Sequence, residues 1–241
     1  MENILKQVRA ALEHEPRINL HRFPLAFDLG DDGTLVLEGE TENIAAKKVA
    51  LELAASVPGV AGIVDHLRVI PAHRMGDGQI RDHVSDALVG ELAFENYAIQ
   101  VRSDDQQSPV KEPISGSDYS ITVAVNEGVV ALDGRVSSVS HKALAGALAW
   151  WVPGSRDVIN RLEITPAQAP SDDEITEAVV LVLETDPLVD ADSIRVATRN
   201  SVVTLEGIAP SDSQKEMAEM DTWYVYAVDK VINRLEVQQQ G

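Results

Sequence analysis

The chain has 241 residues, a net charge of −19 and no cysteine. That charge disfavours nucleic-acid phosphates and anionic lipid headgroups, and the missing thiols exclude disulfides, thiolate metal sites and a cysteine nucleophile. With 44% apolar residues the chain can build packed cores, enough for one large domain or two to three small ones.

The first predicted element is a helix. MENILKQVRAALEHEP sets Ile4, Val8 and Leu12 along one face. Lys6, Arg9 and Glu13 break the apolar run that a signal peptide needs. No later stretch approaches the roughly 18 apolar residues of a membrane span. The expectation is therefore a cytoplasmic protein without a transmembrane segment, periplasmic only if a leader precedes this sequence.

From residue 33 a pattern begins that returns twice. Residues 33–69, 128–164 and 201–237 align without a gap, at offsets of 95 and 73 residues. VINRLEI at 158–164 and VINRLEV at 231–237 nearly repeat one another. Matching columns include Leu37/Leu132/Leu205, Gly39/Gly134/Gly207, Lys47/Lys142/Lys215 and Leu67/Leu162/Leu235, with Asp65/Asn160/Asn233 a near-match. A helix signal precedes each segment at one spacing: Ile4, Val8, Leu12; Ile80, Val84, Leu88; Ile175, Val179, Leu183. Ser171 followed by Glu174 reads as a capping box for the third of these helices. The chain is a triplicated unit, with repeats at 1–71, 76–166 and 171–238. The brief, proline-bearing joins predict repeats packed in a fixed arrangement.

Within each repeat the order is helix, strand, strand, helix, strand. The first hairpins turn at Asn126-Glu127-Gly128 and Thr198-Arg-Asn-Ser201, and alternating Ile121, Val123 and Val125 supply one apolar face. The glycine column is expected to take a turn conformation closed to other residues. Strand, crossover helix and parallel strand should wind right-handed. The fold class is α+β: three tandem αββαβ repeats, each a three-stranded mixed sheet with two helices on one face. Repeat 2 carries an insertion over about 102–118, polar and proline-broken, which reads as a mobile loop.

The αββαβ order, the V-x-L-x-G strand ending and the V-P-G-x-x-x-V-x-N-x-L-x-V ending resemble the BON domain (bacterial OsmY and nodulation). Repeat 2 carries the second motif through Val152, Pro153, Gly154, Val158, Asn160 and Leu162. Repeat 1 has Val57, Pro58 and Gly59 with Asp65 for the asparagine, and repeat 3 replaces Pro-Gly with Tyr226-Ala227. The resemblance implies small non-catalytic binding modules. It further implies the phospholipid-binding, osmotic-stress and envelope associations of that family, whose exported members carry leaders.

No catalytic constellation stands out. The six histidines show no HExxH, no metal-ligand spacing recurs, and all six read as surface residues. Asp31-Asp32, Asp104-Asp105 and Asp172-Asp173-Glu174 lack the steps of a calcium loop. Phosphate-cradling glycine motifs are absent, and Asp77 reads as a helix N-cap. Neither metal nor cofactor is expected, and no enzyme. The Asp65/Asn160/Asn233 column should tie a turn to its strand.

The second helices are more informative. ALAGALAWWV (143–152) is apolar all round and needs a second burial surface. Trp150 and Trp223 lie nearly opposite the core row of their own helices. Ala143 and Ala147 would admit another backbone, Trp150 and Trp151 would supply contact area, and Lys142 is nearby. These six residues are the candidate binding site. The surface has three destinations: another repeat, another protein or a second copy, or a lipid surface. The expected function is a non-enzymatic, phospholipid- or envelope-associated binding protein. The alternative is a cytoplasmic scaffold for protein–protein interaction, assembled through its repeats.

Overall fold

The computed structural model describes residues 2–103, 106–114, 116–167 and 169–238. It divides the chain into two compact units, Met1–Ile70 and Pro71–Gly241. Repeat 1 is the first unit; repeats 2 and 3 together form the second.

In the first unit α1 (Glu2–Glu13) precedes β1 (Leu25–Leu29) and β2 (Thr34–Thr41), then α2 (Ile44–Ala55) and β3 (Gly62–Val69). β1 and β2 pair antiparallel and β3 joins β2 in parallel. A two-period pattern drives the strands: Leu35 and Leu37 are fully buried while Glu38 is exposed. Val8 and Leu12 of α1 and Ala50 and Ala54 of α2 meet Leu35, Leu37 and Leu67 in one core. Both helices therefore lie on one face of the sheet. Each fully buried leucine contributes about 1.5–3 kcal/mol.

The second unit opens with α3 (Asp77–Gly90) and a 3-10 turn at Leu92–Phe94. Next come β4 (Ala98–Ser103), β5 (Gln106–Lys111), β6 (Ser120–Asn126), β7 (Val129–Val136) and α4 (Val139–Trp151). The closing strand is interrupted, β8 (Asp157–Asn160) and β9 (Glu163–Ile164) both pairing with β7. Repeat 3 follows as α5 (Asp172–Thr185), β10 (Ile194–Arg199), β11 (Val202–Ala209), α6 (Asp212–Tyr224) and β12 (Lys230–Val237). Its sheet, in the order β10-β11-β12, repeats the pattern of the first unit.

Repeat 2 departs from the expected three strands. Its sheet has six, in the order β5-β4-β6-β7-β8 with β9 also on β7. Gln106–Lys111, expected within a mobile loop, form an edge strand antiparallel to β4. The proline that suggested a loop sits at Pro109, on that exposed edge, where a strand tolerates it. Asp104 and Asp105 lie outside the described residues.

The hairpin turns behave as expected. Glu127 (φ 51°) and Gly128 (φ 76°), and likewise Asn200 (φ 51°) and Ser201 (φ 59°), take the paired left-handed conformations that match strand twist. Asp77 is the first residue of α3, not its N-cap, a place Gly76 holds. Its carboxylate reaches the turn and accepts from the backbone N–H of Glu127 and Gly128, each at 2.9 Å. Asp172 does the same from α5, accepting from Asn200 N at 2.8 Å and Ser201 N at 3.0 Å. Those two bonds hold its carboxyl below the usual range. The Ser171–Glu174 capping box forms as the sequence spells it.

The glycine column lies inside β2, β7 and β11 rather than at a turn. Gly39, Gly134 and Gly207 have φ of 142°, 133° and 132°. A Cβ on Gly134 would stand 2.1 Å from Ser120 O, and one on Gly207 2.1 Å from Ser193 O. Close approach of the partner strand, as well as φ, keeps these positions as glycine.

Candidate interaction site at the junction of the second and third repeats

α4 begins at Ser138, whose side chain accepts from His141 N at 3.1 Å. Every residue from Lys142 to Ala149 is buried. The helix packs against β7 and β8 of its own sheet and also along α5 and α6 of the third repeat. The second burial surface demanded by an all-apolar helix is thus the third repeat.

Three contacts define that surface. Trp150 stacks on Tyr224, ring centroids 5.5 Å apart and planes inclined by 14°. Trp151 Nε1 donates to Asp221 Oδ1 at 2.7 Å. Lys142 Nζ lies 4.0 Å from the centroid of the Tyr226 ring, a cation–π contact. Burial pulls the Lys142 ammonium below its ordinary pKa. Ala143 and Ala147 fall by helical geometry between Trp150 and Trp151 and are fully buried. Trp223 is also fully buried.

The candidate residues are therefore brought together, but as an internal junction. Lys142, Ala143, Ala147 and Trp223 are buried, and the rings of Trp150 and Trp151 are engaged by Tyr224 and Asp221. Of the three destinations that the sequence leaves open for this surface, the structure shows contact with another repeat. The large apolar area on repeat 2 is matched by the neighbouring repeat 3. The departure of repeat 3 from Pro-Gly also gains a reason. Tyr226 faces Lys142, and Ala227 adopts φ 65°, near the left-handed conformation that Gly59 (φ 99°) takes in repeat 1.

The repeated polar columns are used structurally. Asn160 Nδ2 donates to Lys142 O at 2.8 Å and Asn233 Nδ2 to Lys215 O at 3.0 Å, tying helix to strand. Their Oδ1 atoms accept from Leu162 N and Leu235 N. Asp65 keeps the second bond, accepting from Leu67 N at 2.9 Å, but a carboxylate cannot donate to a carbonyl. It instead pairs with Lys47 Nζ at 2.9 Å.

His141 corrects the reading of all six histidines as surface residues. His14, His21, His66, His73 and His83 are exposed, but His141 is half-buried. Its Nδ1 shares hydrogen bonds with Tyr97 Oη at 2.6 Å and Ser137 Oγ at 2.9 Å. Phe94 stands edge-on at 5.7 Å, and burial lowers the imidazole pKa. This cluster pins the segment before β4 to the start of α4. On the sheet's other face Asp133 accepts from Arg161 and Arg102 and is held below its usual pKa, chiefly by Arg161. Sequence reasoning missed Asp221, Tyr224 and Tyr226, because their meaning depends on which repeat α4 packs against.

Such an arrangement defines a tandem α+β protein whose second and third repeats dock helix on helix. The chain belongs to the BON domain family, whose model matches residues 29–71, 110–166 and 171–239. No curated protein matches it. Among solved structures it is similar to the C-terminal domain of CdsD, the structural protein of the type III secretion system of Chlamydia trachomatis. Identity there is 13%, covering 100% of this chain and 99% of that one, with a TM-score of 0.26. It is also similar to the PrgH periplasmic domain, with 12% identity over 89% of this chain and 95% of that one and a TM-score of 0.23. Among the described residues no helix is long and apolar enough to cross a membrane.

Proposed function

We propose that this chain is a non-enzymatic BON-domain protein that works by assembly, its second and third repeats acting as one preformed binding body. The observation that carries this reading is the α4–α6 junction, in which one BON helix end docks another through Trp150, Trp151 and Lys142. The recurring polar residues are spent on backbone bonds, as at Asn160 and Asn233, which supports a structural purpose for them rather than a catalytic one. The acidic surface suits a protein partner that presents basic residues better than an anionic headgroup. The test is chemical crosslinking and sedimentation of the purified chain, alone and with cell extract. A chain that stays monomeric and captures no partner reproducibly would overturn the reading.

A second reading is phospholipid association at the envelope, supported by family membership. Co-sedimentation with vesicles of phosphatidylglycerol, cardiolipin or phosphatidylcholine separates the two. Headgroup-selective binding at physiological salt would favour lipid over protein.

A further inference from the structure

Behind Trp151 lies a buried pair of acids that the binding reading does not use. Asp221 on α6 is 1% exposed, and Asp186, which ends α5, is 8% exposed. Asp221 Oδ1 accepts from Trp151 Nε1, and Asp186 Oδ1 accepts from Leu188 N at 2.8 Å. Asp221 Oδ2 is buried and has no hydrogen-bond donor among the described residues. The Asp186 carboxyl, an acceptor when ionised, is the acid that acts on Asp221. A proton on Asp221 makes its buried carboxyl a donor that can hydrogen-bond to an acceptor such as the Asp186 carboxylate. Without it, two like charges share a dry site.

We propose that a proton held on the buried Asp221 carboxyl locks the junction of repeats 2 and 3, and that losing it at alkaline pH loosens α4 from α6.

The groups facing the pair support one proton. Asp186 approaches from α5, Tyr224 lies on α6 itself, and α4 contributes the uncharged Trp151 indole. Among the described residues no Lys or Arg makes an ion pair with either carboxyl; Lys142, the cation on this arc of α4, sits over Tyr226. Burial, with Asp186 adding to it, pushes Asp221 up to about 8. Burial, with Asp221 adding to it, pushes Tyr224 up to about 12, beyond the relevant range. Because the folded-state pKa of Asp221 is raised, the folded chain holds a proton that the unfolded chain has already released. Stability therefore falls with rising pH, by about tenfold in the folding constant per pH unit, from near 4 to near 8.

All three tryptophans of the chain, Trp150, Trp151 and Trp223, lie in the two second helices that build this junction, so intrinsic fluorescence reads it. The experiment titrates the full chain from pH 6.5 to 9.5, recording tryptophan emission and far-ultraviolet circular dichroism. The expected result is a red shift in emission centred near pH 8 with unchanged dichroism. Asp221→Asn, whose amide can donate to Asp186 and still accept from Trp151, should hold the low-pH emission throughout. Lys142→Met should leave the transition in place; its disappearance in that variant would assign the titration to Lys142 and overturn the proposal. A flat wild-type titration, or the same transition in Asp221→Asn, would also overturn it. If Asp221→Asn does not fold, infrared difference spectra of the wild type decide. A protonated-carboxyl stretch lost with the same midpoint upholds the lock, and its absence from the folded chain sinks it.

Discussion

Trp150 of the second repeat lies nearly parallel to Tyr224 of the third, its ring centroid 5.5 Å away. Leu144 and Leu148, six and two residues earlier on the same helix, are buried on a different side of it. The helix thus has two sides with separate duties, and substitutions on the two sides should have different consequences.

Trp150→Ala in the full chain should lower the stability of residues 71–241 by about 2 kcal/mol, since it removes a stacked pair and part of its buried area. Leu144→Ala should cost more, about 2–5 kcal/mol, because it opens a cavity in the core of one repeat. Denaturant titrations compare the two. Equal losses would place Trp150 in the core of its own repeat.

Gly207→Ala should destabilise repeat 3 by more than about 2 kcal/mol, because the new Cβ collides with Ser193 O and φ is positive. Thermal unfolding with far-ultraviolet detection checks it. An unchanged midpoint would show that β10 can retreat.

Ala227→Gly should have the opposite sign. Ala227 holds φ 65°, a conformation that costs a residue with a Cβ about 1–2 kcal/mol. Part of that strain is relieved by glycine and offset by its greater unfolded-state entropy, so a gain of about 0.5–1 kcal/mol is expected. Chemical denaturation reads it directly.

Asp172→Ala should expose the amides of Asn200 and Ser201 to exchange, since the carboxylate accepts from both. In the wild type the folded-state pKa of Asp172 is depressed. Its contribution is therefore present above the unfolded carboxyl pKa and lost as pH falls through the folded one. Hydrogen exchange followed by NMR should show those two amides losing protection in the variant, with the rest of β11 nearly unchanged.

Deleting 103–118 should unfold the sheet of repeat 2, contrary to the expectation for a loop. β4 and β6 are parallel neighbours, so the chain must travel back the length of a strand between Ser103 and Ser120. Parallel strands need a connection of about a dozen residues. A deletion variant that keeps the wild-type unfolding midpoint would show β4 to be dispensable.

The sequence by itself determined the triplication, the αββαβ order, the hairpin turns and the inward faces. These follow from local periodicity, and local periodicity is set by the backbone repeat of a helix or a strand. It also carried the need for a second surface on α4, since ALAGALAWWV has no polar face to turn to water. Strand β5 was hidden because a polar, proline-bearing edge strand and a loop have the same composition. Only tertiary structure decided what covers Trp150 and why Asp221 is buried. Tyr224, Tyr226 and Asp221 lie more than sixty residues beyond the helix they meet, and no periodicity links residues across that distance. Their partners are chosen by how two finished repeats pack, where area, charge and shape are matched at once.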